Sequence, residues 1–365
     1  MDMMARHDRR WIFYLAIVLM ASQMFVGAFA ARAKIEWNTY VQPDGTVLTL
    51  TLCGDEHFNC YRDQEGRLYA RDSLGVFSLL SSEQLRRTSA LTRSNKALPS
   101  YTQDFWDASR IYRQMVVLVS FVDCDFSIED PLATYHAMFN ETGYNQLKGP
   151  GCVADYFRDQ SGGLFNLQFD IYGPIQVSSN VQASGTSKNY GRETFHEAMQ
   201  KFVNDYPDID YSQYDWDANG SVDQVIFIYA GLSGNQAGVT GYIWPNTNTF
   251  STIKTPDGTK ISHFSASAER WTGSVTCGIG TVCHEFSHCL GLPDIYPTST
   301  SVKAISVVDE WDLMDGGNYT NRGWCPPNYS PLEKMLMGWL TPEELTENTD
   351  INGLKPIAEG GKAFA

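Results

Sequence analysis

Apolar positions along the chain change period several times between residues 110 and 340, and each change marks an element. Residues 115–121 form a nearly unbroken apolar run, which predicts a strand buried on both faces. Residues 222–229 predict a second strand of this kind, ended by Gly231 and Gly234. Residues 164–172 alternate apolar and polar, as a strand does. Residues 130–143 and 152–160 have helical spacing, and 193–203 put Phe195, Met199 and Phe202 on one side of a helix. A long loop is expected before the next helix, near residue 284, and a helical finish from Leu332. Strands mixed with helices in this order predict an α+β fold with a twisted mixed sheet.

The chain before residue 110 has a different texture. Residues 47–52 alternate as a strand, 53–58 break it, and 61–69 predict a hairpin around Glu65-Gly66. Residues 78–99 are polar and basic, with Arg86, Arg87, Arg93 and Lys96, which suits a linker or a processing site. Residues 31–109 are therefore expected to form a small β-rich unit of their own. Ahead of it, Arg6, Arg9 and Arg10 precede an apolar run over 11–26, and Ala28-Phe29-Ala30 offers small residues at both cleavage-defining positions. Residues 1–30 thus predict a signal peptide cut after Ala30, a secreted product, and no membrane attachment after the cut. An uncleaved anchor is the competing reading, and Ser22 and Gln23 weaken it in a run already short for spanning. At the other end, residues 351–365 look like the start of a C-terminal β region, so the chain is expected to be truncated there.

Composition narrows the partners. A chain of 365 residues with 43% hydrophobic content can fill one large core or two modest ones, and its net charge of −15 disfavours nucleic acid and anionic membranes. Eight cysteines in an exported chain permit disulfides, with Cys53 and Cys60 the local pair to expect. Cys283 and Cys289 are expected to be buried as small hydrophobes. His57, His136, His196 and His263 lie outside any ligand spacing and are expected on the surface or in the core.

The chemistry concentrates in His284-Glu285-Phe286-Ser287-His288-Cys289-Leu290-Gly291-Leu292-Pro293-Asp294. Histidines four apart lie one turn above each other on a helix and can hold one divalent metal. Glu285 stands beside the first, where it can take a proton from water at that metal. Gly291 lets the chain leave the helix sharply, and Asp294 can return as a third ligand. Three protein ligands leave one position open, which is the catalytic arrangement. Downstream, Met314 sits in a turn-rich segment, 311–319. A second ion site is suggested by Asp215-Trp216-Asp217-Ala218-Asn219-Gly220-Ser221-Val222-Asp223. Asp215, Asp217 and Asn219 would offer side-chain oxygens to calcium, Ser221 a carbonyl, and Asp223 a carboxylate. It is not a full EF-hand, because the twelfth position is Ile226 within a strand.

Residues 284–296 and 311–319, with Trp324-Cys325-Pro326-Pro327 and residues 337–342, resemble the immune inhibitor A-type metallopeptidases, secreted bacterial zinc endopeptidases. The resemblance runs from about Tyr112 to about Pro342. It implies a zincin, metzincin-like domain over 110–350, with zinc on His284, His288 and Asp294, Glu285 as the catalytic acid/base, and Met314 as the Met-turn methionine. Two positions depart: Ser287 stands where the family often has Gly, and Gly316 where many metzincins carry a Tyr, so Tyr319 takes no role from the resemblance. The resulting expectation is a zinc endopeptidase acting on proteins or peptides, with a structural calcium and with residues 31–109 as a propeptide over the active site. Cys53 or Asp55 could cap the metal, though both read more simply as turn residues. The competing function is an inactive secreted binding or adhesin module on the same scaffold, against which the intact Glu285 argues. A nucleophilic Ser or Cys hydrolase is weaker still, since no Gly-x-Ser-x-Gly elbow is present.

Overall fold

The computed structural model describes residues 31–54, 59–72, 74–80, 101, 103–145, 149–182, 190–235, 241–296, 308–347 and 350–364. Residues 1–30, expected to be a signal peptide, Asp55, His57 and residues 81–100, which hold most of the basic stretch, lie outside the described residues.

The first unit is an antiparallel meander: β1 (Asn38–Val41), β2 (Val47–Gly54), β3 (Asn59–Arg62), β4 (Leu68–Arg71) and β5 (Phe77–Leu79), each paired with the next. The hairpin expected around Glu65-Gly66 joins β3 to β4, closed by Asp63, which accepts from the Arg67 amide at 2.7 Å. One face of the meander buries Leu50, Leu52, Tyr61, Tyr69 and Phe77, with Ala33 and Trp244 packed against them. Cys53 and Cys60 sit directly opposite each other across β2 and β3, their Sγ atoms 3.4 Å apart as thiols.

The second unit is built on a mixed sheet. β6 (Ile111–Ser120) lies parallel to β7 (Asn166–Gln176) on one side and to β8 (Val225–Leu232) on the other. β8 in turn pairs parallel with β10 (Lys260–Thr272), which also pairs antiparallel with β9 (Asn246–Lys254) and β11 (Val275–Thr276). The unbroken apolar run in β6 follows from burial on both faces: Met115, Val117 and Val119 enter one core, Val116 and Leu118 the other. Helix α3 (Arg192–Asp205) covers the first face through Phe195, Met199 and Phe202, as its spacing predicted. The second face carries α1 (Pro131–Asn140), α2 (Val153–Gln160) and α4 (Gly280–Cys289), around aromatics that include Trp106, Tyr112, Phe165 and Phe286.

Two expectations change. The long loop before the motif helix is largely the β9–β10 hairpin, turned at Asp257-Gly258. The helical finish from Leu332 is one short helix, α5 (Pro331–Leu336), followed by irregular chain. Residues 351–364 hold a single turn at Ile357–Glu359 and one bridge, between Glu343 and Phe364. Among the described residues no helix is long and apolar enough to cross a membrane.

Candidate metal centre

Helix α4 is wholly buried, so its polar residues must be satisfied by specific partners. Its N-terminal lead-in packs backbone against backbone: a Cβ on Gly278 would collide with Gly323, and one on Gly280 with Asn318. At its far end Gly291 adopts φ +105°, a left-handed turn that favours glycine, and this sends the chain back toward the helix.

That return brings Asp294 to the histidines. Asp294 Oδ1 lies 3.4 Å from His284 Nε2 and 3.2 Å from His288 Nε2, and the two Nε2 atoms are 3.2 Å apart. The other nitrogen of each ring is committed elsewhere. His284 Nδ1 bonds the Leu313 carbonyl at 2.7 Å, and His288 Nδ1 the Leu292 carbonyl at 2.7 Å. A carbonyl can only accept, so each Nδ1 carries the hydrogen and each neutral Nε2 keeps a lone pair aimed at the same point. Burial lowers the His288 pKa, which favours that neutral form. Asp294 Oδ1 is buried without a hydrogen-bond donor. An ionised oxygen with no donor and two convergent imidazole lone pairs are a donor set that fits a borderline-soft divalent cation such as zinc.

Glu285 is fully buried beside this cluster. Thr247 Oγ1 donates to its backbone carbonyl at 2.7 Å and lies 3.2 Å from its Oε2. Its Oε1 accepts from the Ala31 amide at 2.7 Å, so the segment after the expected cleavage point lies against the carboxylate. Cys53 does not join the cluster among the described residues. Met314 is fully buried in the segment that supplies the His284 acceptor, and its carbonyl accepts from the Ile295 amide next to Asp294. Ser287 turns away from the cluster to the Cys283 carbonyl and the Tyr329 hydroxyl. The Cys283 and Cys289 thiols are buried, and burial pushes both pKa values up, the reverse of an activated nucleophile.

The second acidic loop converges in part. Carboxylate oxygens of Asp215, Asp217 and Asp223 come within 4.8 Å of one another. Asp215 accepts from the Asn219 and Gly220 amides at 3.0 and 2.7 Å, which curls the loop around its own carboxylates. Asn219 donates its side-chain amide to Asp217 at 2.9 Å, and Ser221 bridges to Lys260. Asp223 is buried, accepts from the Tyr101 hydroxyl and the Trp216 amide, and is raised to about 6 by its burial and then by Asp217 and Asp215. The residues that sequence reading did not single out here are Ala31, Thr247 and Tyr101. All three reach their partners across long sequence separations, which spacing patterns do not register.

A mixed sheet carrying a buried helix with two histidines, an adjacent glutamate and a returning aspartate is compatible with the catalytic domain of a metallopeptidase. The chain belongs to the immune inhibitor A peptidase M6 family, whose catalytic-domain model matches residues 129–337. It is 23% identical to the pre-pro-metalloprotease PrtV of Vibrio cholerae over 67% of this chain and 30% of that protein. It is 24% identical to immune inhibitor A of Bacillus thuringiensis subsp. alesti, over 60% of this chain and 38% of the relative. The chain thus spans well under half the length of these curated relatives.

Proposed function

We propose that the protein is a secreted, zinc-dependent endopeptidase of metzincin type, with His284, His288 and Asp294 holding the ion and Glu285 acting as general base. The observation that carries this reading is the meeting of two Nε2 atoms and an orphaned carboxylate oxygen beside a buried glutamate. The ion, when bound, would polarise a peptide carbonyl and acidify water. Glu285 would take the water's proton and deliver it to the departing amine. Leu313 and Leu292 carbonyls would keep both imidazoles in the tautomer that binds metal, and Met314 would pack below as the Met-turn residue.

The same reading gives residues 1–30 the role of export signal, 31–109 that of a propeptide, 110–350 that of the peptidase domain, and 351–365 that of the start of a further β region. The Ala31 nitrogen on Glu285, an amide in the whole chain and the terminal ammonium once residues 1–30 are removed, supports the propeptide assignment, because chain that touches the general base excludes substrate from it. The loop Asp215, Asp217, Asn219, Ser221 and Asp223 would hold a structural calcium, supported by its three convergent carboxylates. Substrates would be proteins or peptides. Metal analysis of the purified protein, joined to a casein cleavage assay with and without chelator, tests the proposal. About one zinc per chain and chelator-sensitive cleavage are expected; chelator-resistant cleavage, or zinc-loaded protein that cuts nothing after removal of residues 31–109, would refute it.

A further inference from the structure

The segment Ala31–Lys34 lies against Glu285, Tyr319 and Asn235, with its backbone also bonded to Gly54 on the other side. Ala31 N–H donates to Glu285 Oε1, the Tyr319 hydroxyl donates to the Arg32 carbonyl, and Lys34 N–H donates to the Asn235 carbonyl at 3.1 Å. Asn235 and Tyr319 are themselves joined at 2.6 Å, so one wall grips the segment at two points. Arg32 turns off this line into a pocket. Its guanidinium meets Asp309 through Nη2 and Asp315 Oδ1 through Nε at 3.6 Å, and its side chain is only 13% exposed.

The pocket is built rather than incidental. Asp315 is fully buried; one of its oxygens accepts from the Asp309 amide at 2.9 Å, and the other faces Arg32. The Gly316 amide bonds the Asp309 carbonyl, closing the turn that presents both acids. Gly316 forms the floor, where a Cβ would collide with the Arg32 guanidinium. Two carboxylates, one of them buried, face the Arg32 guanidinium from two directions, an arrangement that favours a cation at this position.

Resting on the peptidase reading, we propose that Asp309, Asp315 and Gly316 form a substrate subsite for an arginine side chain, and that Arg32 is its built-in occupant. The subsite reads the residue next to the one whose backbone nitrogen faces Glu285. The favoured substrates are therefore basic peptides with arginine at one fixed position beside the cut. Lys34, stacked 4.2 Å over Trp271, indicates that a second basic side chain two residues further on is also accepted.

The test uses the chain carrying Arg32→Ala, which vacates the pocket, cut within residues 78–99 and diluted so that the strap's remaining backbone contacts no longer hold it in place, in the presence of chelator so that no turnover occurs. Acetyl-Ala-Arg-Ala-Lys-amide and its Ala-Leu-Ala-Lys counterpart are titrated by calorimetry. The arginine peptide should bind at least about tenfold tighter than the leucine peptide, and at least about tenfold tighter than it binds the unaltered chain. Adding Asp309→Asn, at a half-exposed position where folding is not at stake, should abolish most of that discrimination. Equal binding of the two peptides, or binding of neither, overturns the proposal and leaves Arg32 as an internal anchor. A cleavage map of a peptide library by the same cut and diluted Arg32→Ala protein, loaded with zinc, separates the two readings. Cleavage without positional arginine preference sinks the subsite alone. Arginine-selective binding with no cleavage sustains the subsite and sinks the peptidase.

Discussion

A histidine presents a lone pair to a cation only when its other nitrogen is occupied, and in this protein two carbonyls perform that service. Leu313 and Leu292 fix the rings of His284 and His288, while the glutamate between them stays off the donor set. Metal retention and turnover should therefore separate by mutation. His288→Ala should leave less than stoichiometric zinc by metal analysis. Glu285→Gln should keep the zinc and lose about 10²–10⁴-fold in kcat, the usual worth of a general base. Full proteolysis by zinc-loaded Glu285→Gln would remove that residue from the mechanism. His284, Glu285, His288 and Asp294 were legible in the sequence because helical geometry converts a spacing of four into adjacency, and Gly291 announces the return. Arg32, Asp309 and Asp315 were not legible, because they meet across 277 residues and each alone reads as an ordinary surface charge.

Among the elements, the strands with continuous or alternating apolar residues, such as β6 and β7, could be read in advance, whereas β10 could not. Its buried stretch runs Ser265, Ala266, Ser267, Ala268 and Glu269, small and polar residues that hydrophobic periodicity passes over. They are tolerated because β8 pairs along 264–268, β9 pairs Ser265 and Ala266 on the other side, and Glu269 accepts from Ser127 and Gly231. Helix α5 offers a pH test at this scale. Its capping-box residue Glu333 is buried against Asp312; burial first, then Asp312, raises its carboxyl to about 8. The native state thus holds this proton more tightly than the unfolded chain, whose glutamate titrates near 4.5. The stabilisation is complete below about 4.5 and is lost as pH rises through about 8. The Tm of metal-free protein should fall over that window. Glu333→Gln, which keeps the acceptor for Ser330, should flatten the fall; an unchanged slope would place the linkage elsewhere.

For the molecule as a whole, ions and covalent connection decide which state persists. Calcium at the 215–223 loop would bind only the folded form, adding about 2.7 kcal/mol at a hundredfold excess over Kd. Withdrawing calcium from zinc-loaded protein should lower Tm by several degrees, and an unmoved Tm would end that assignment. On the proposed propeptide reading, latency would follow from connection. The strap Ala31–Lys34 touches the cleft through few bonds, yet the meander attached to it is joined to the peptidase domain by the basic stretch 78–99. An intramolecular occupant acts at an effective concentration in the millimolar range, so even a weak one excludes free substrate. Cutting the connection makes the same contacts bimolecular, and their occupancy then depends on dilution. Limited trypsin treatment at Arg86, Arg87, Arg93 or Lys96 should raise peptidase activity per mole, and the rise should grow as the cut protein is diluted. Uncut protein should show no dilution effect. If cleavage in that stretch, verified by mass spectrometry, leaves activity unchanged at every dilution, the strap is not what keeps the cleft closed.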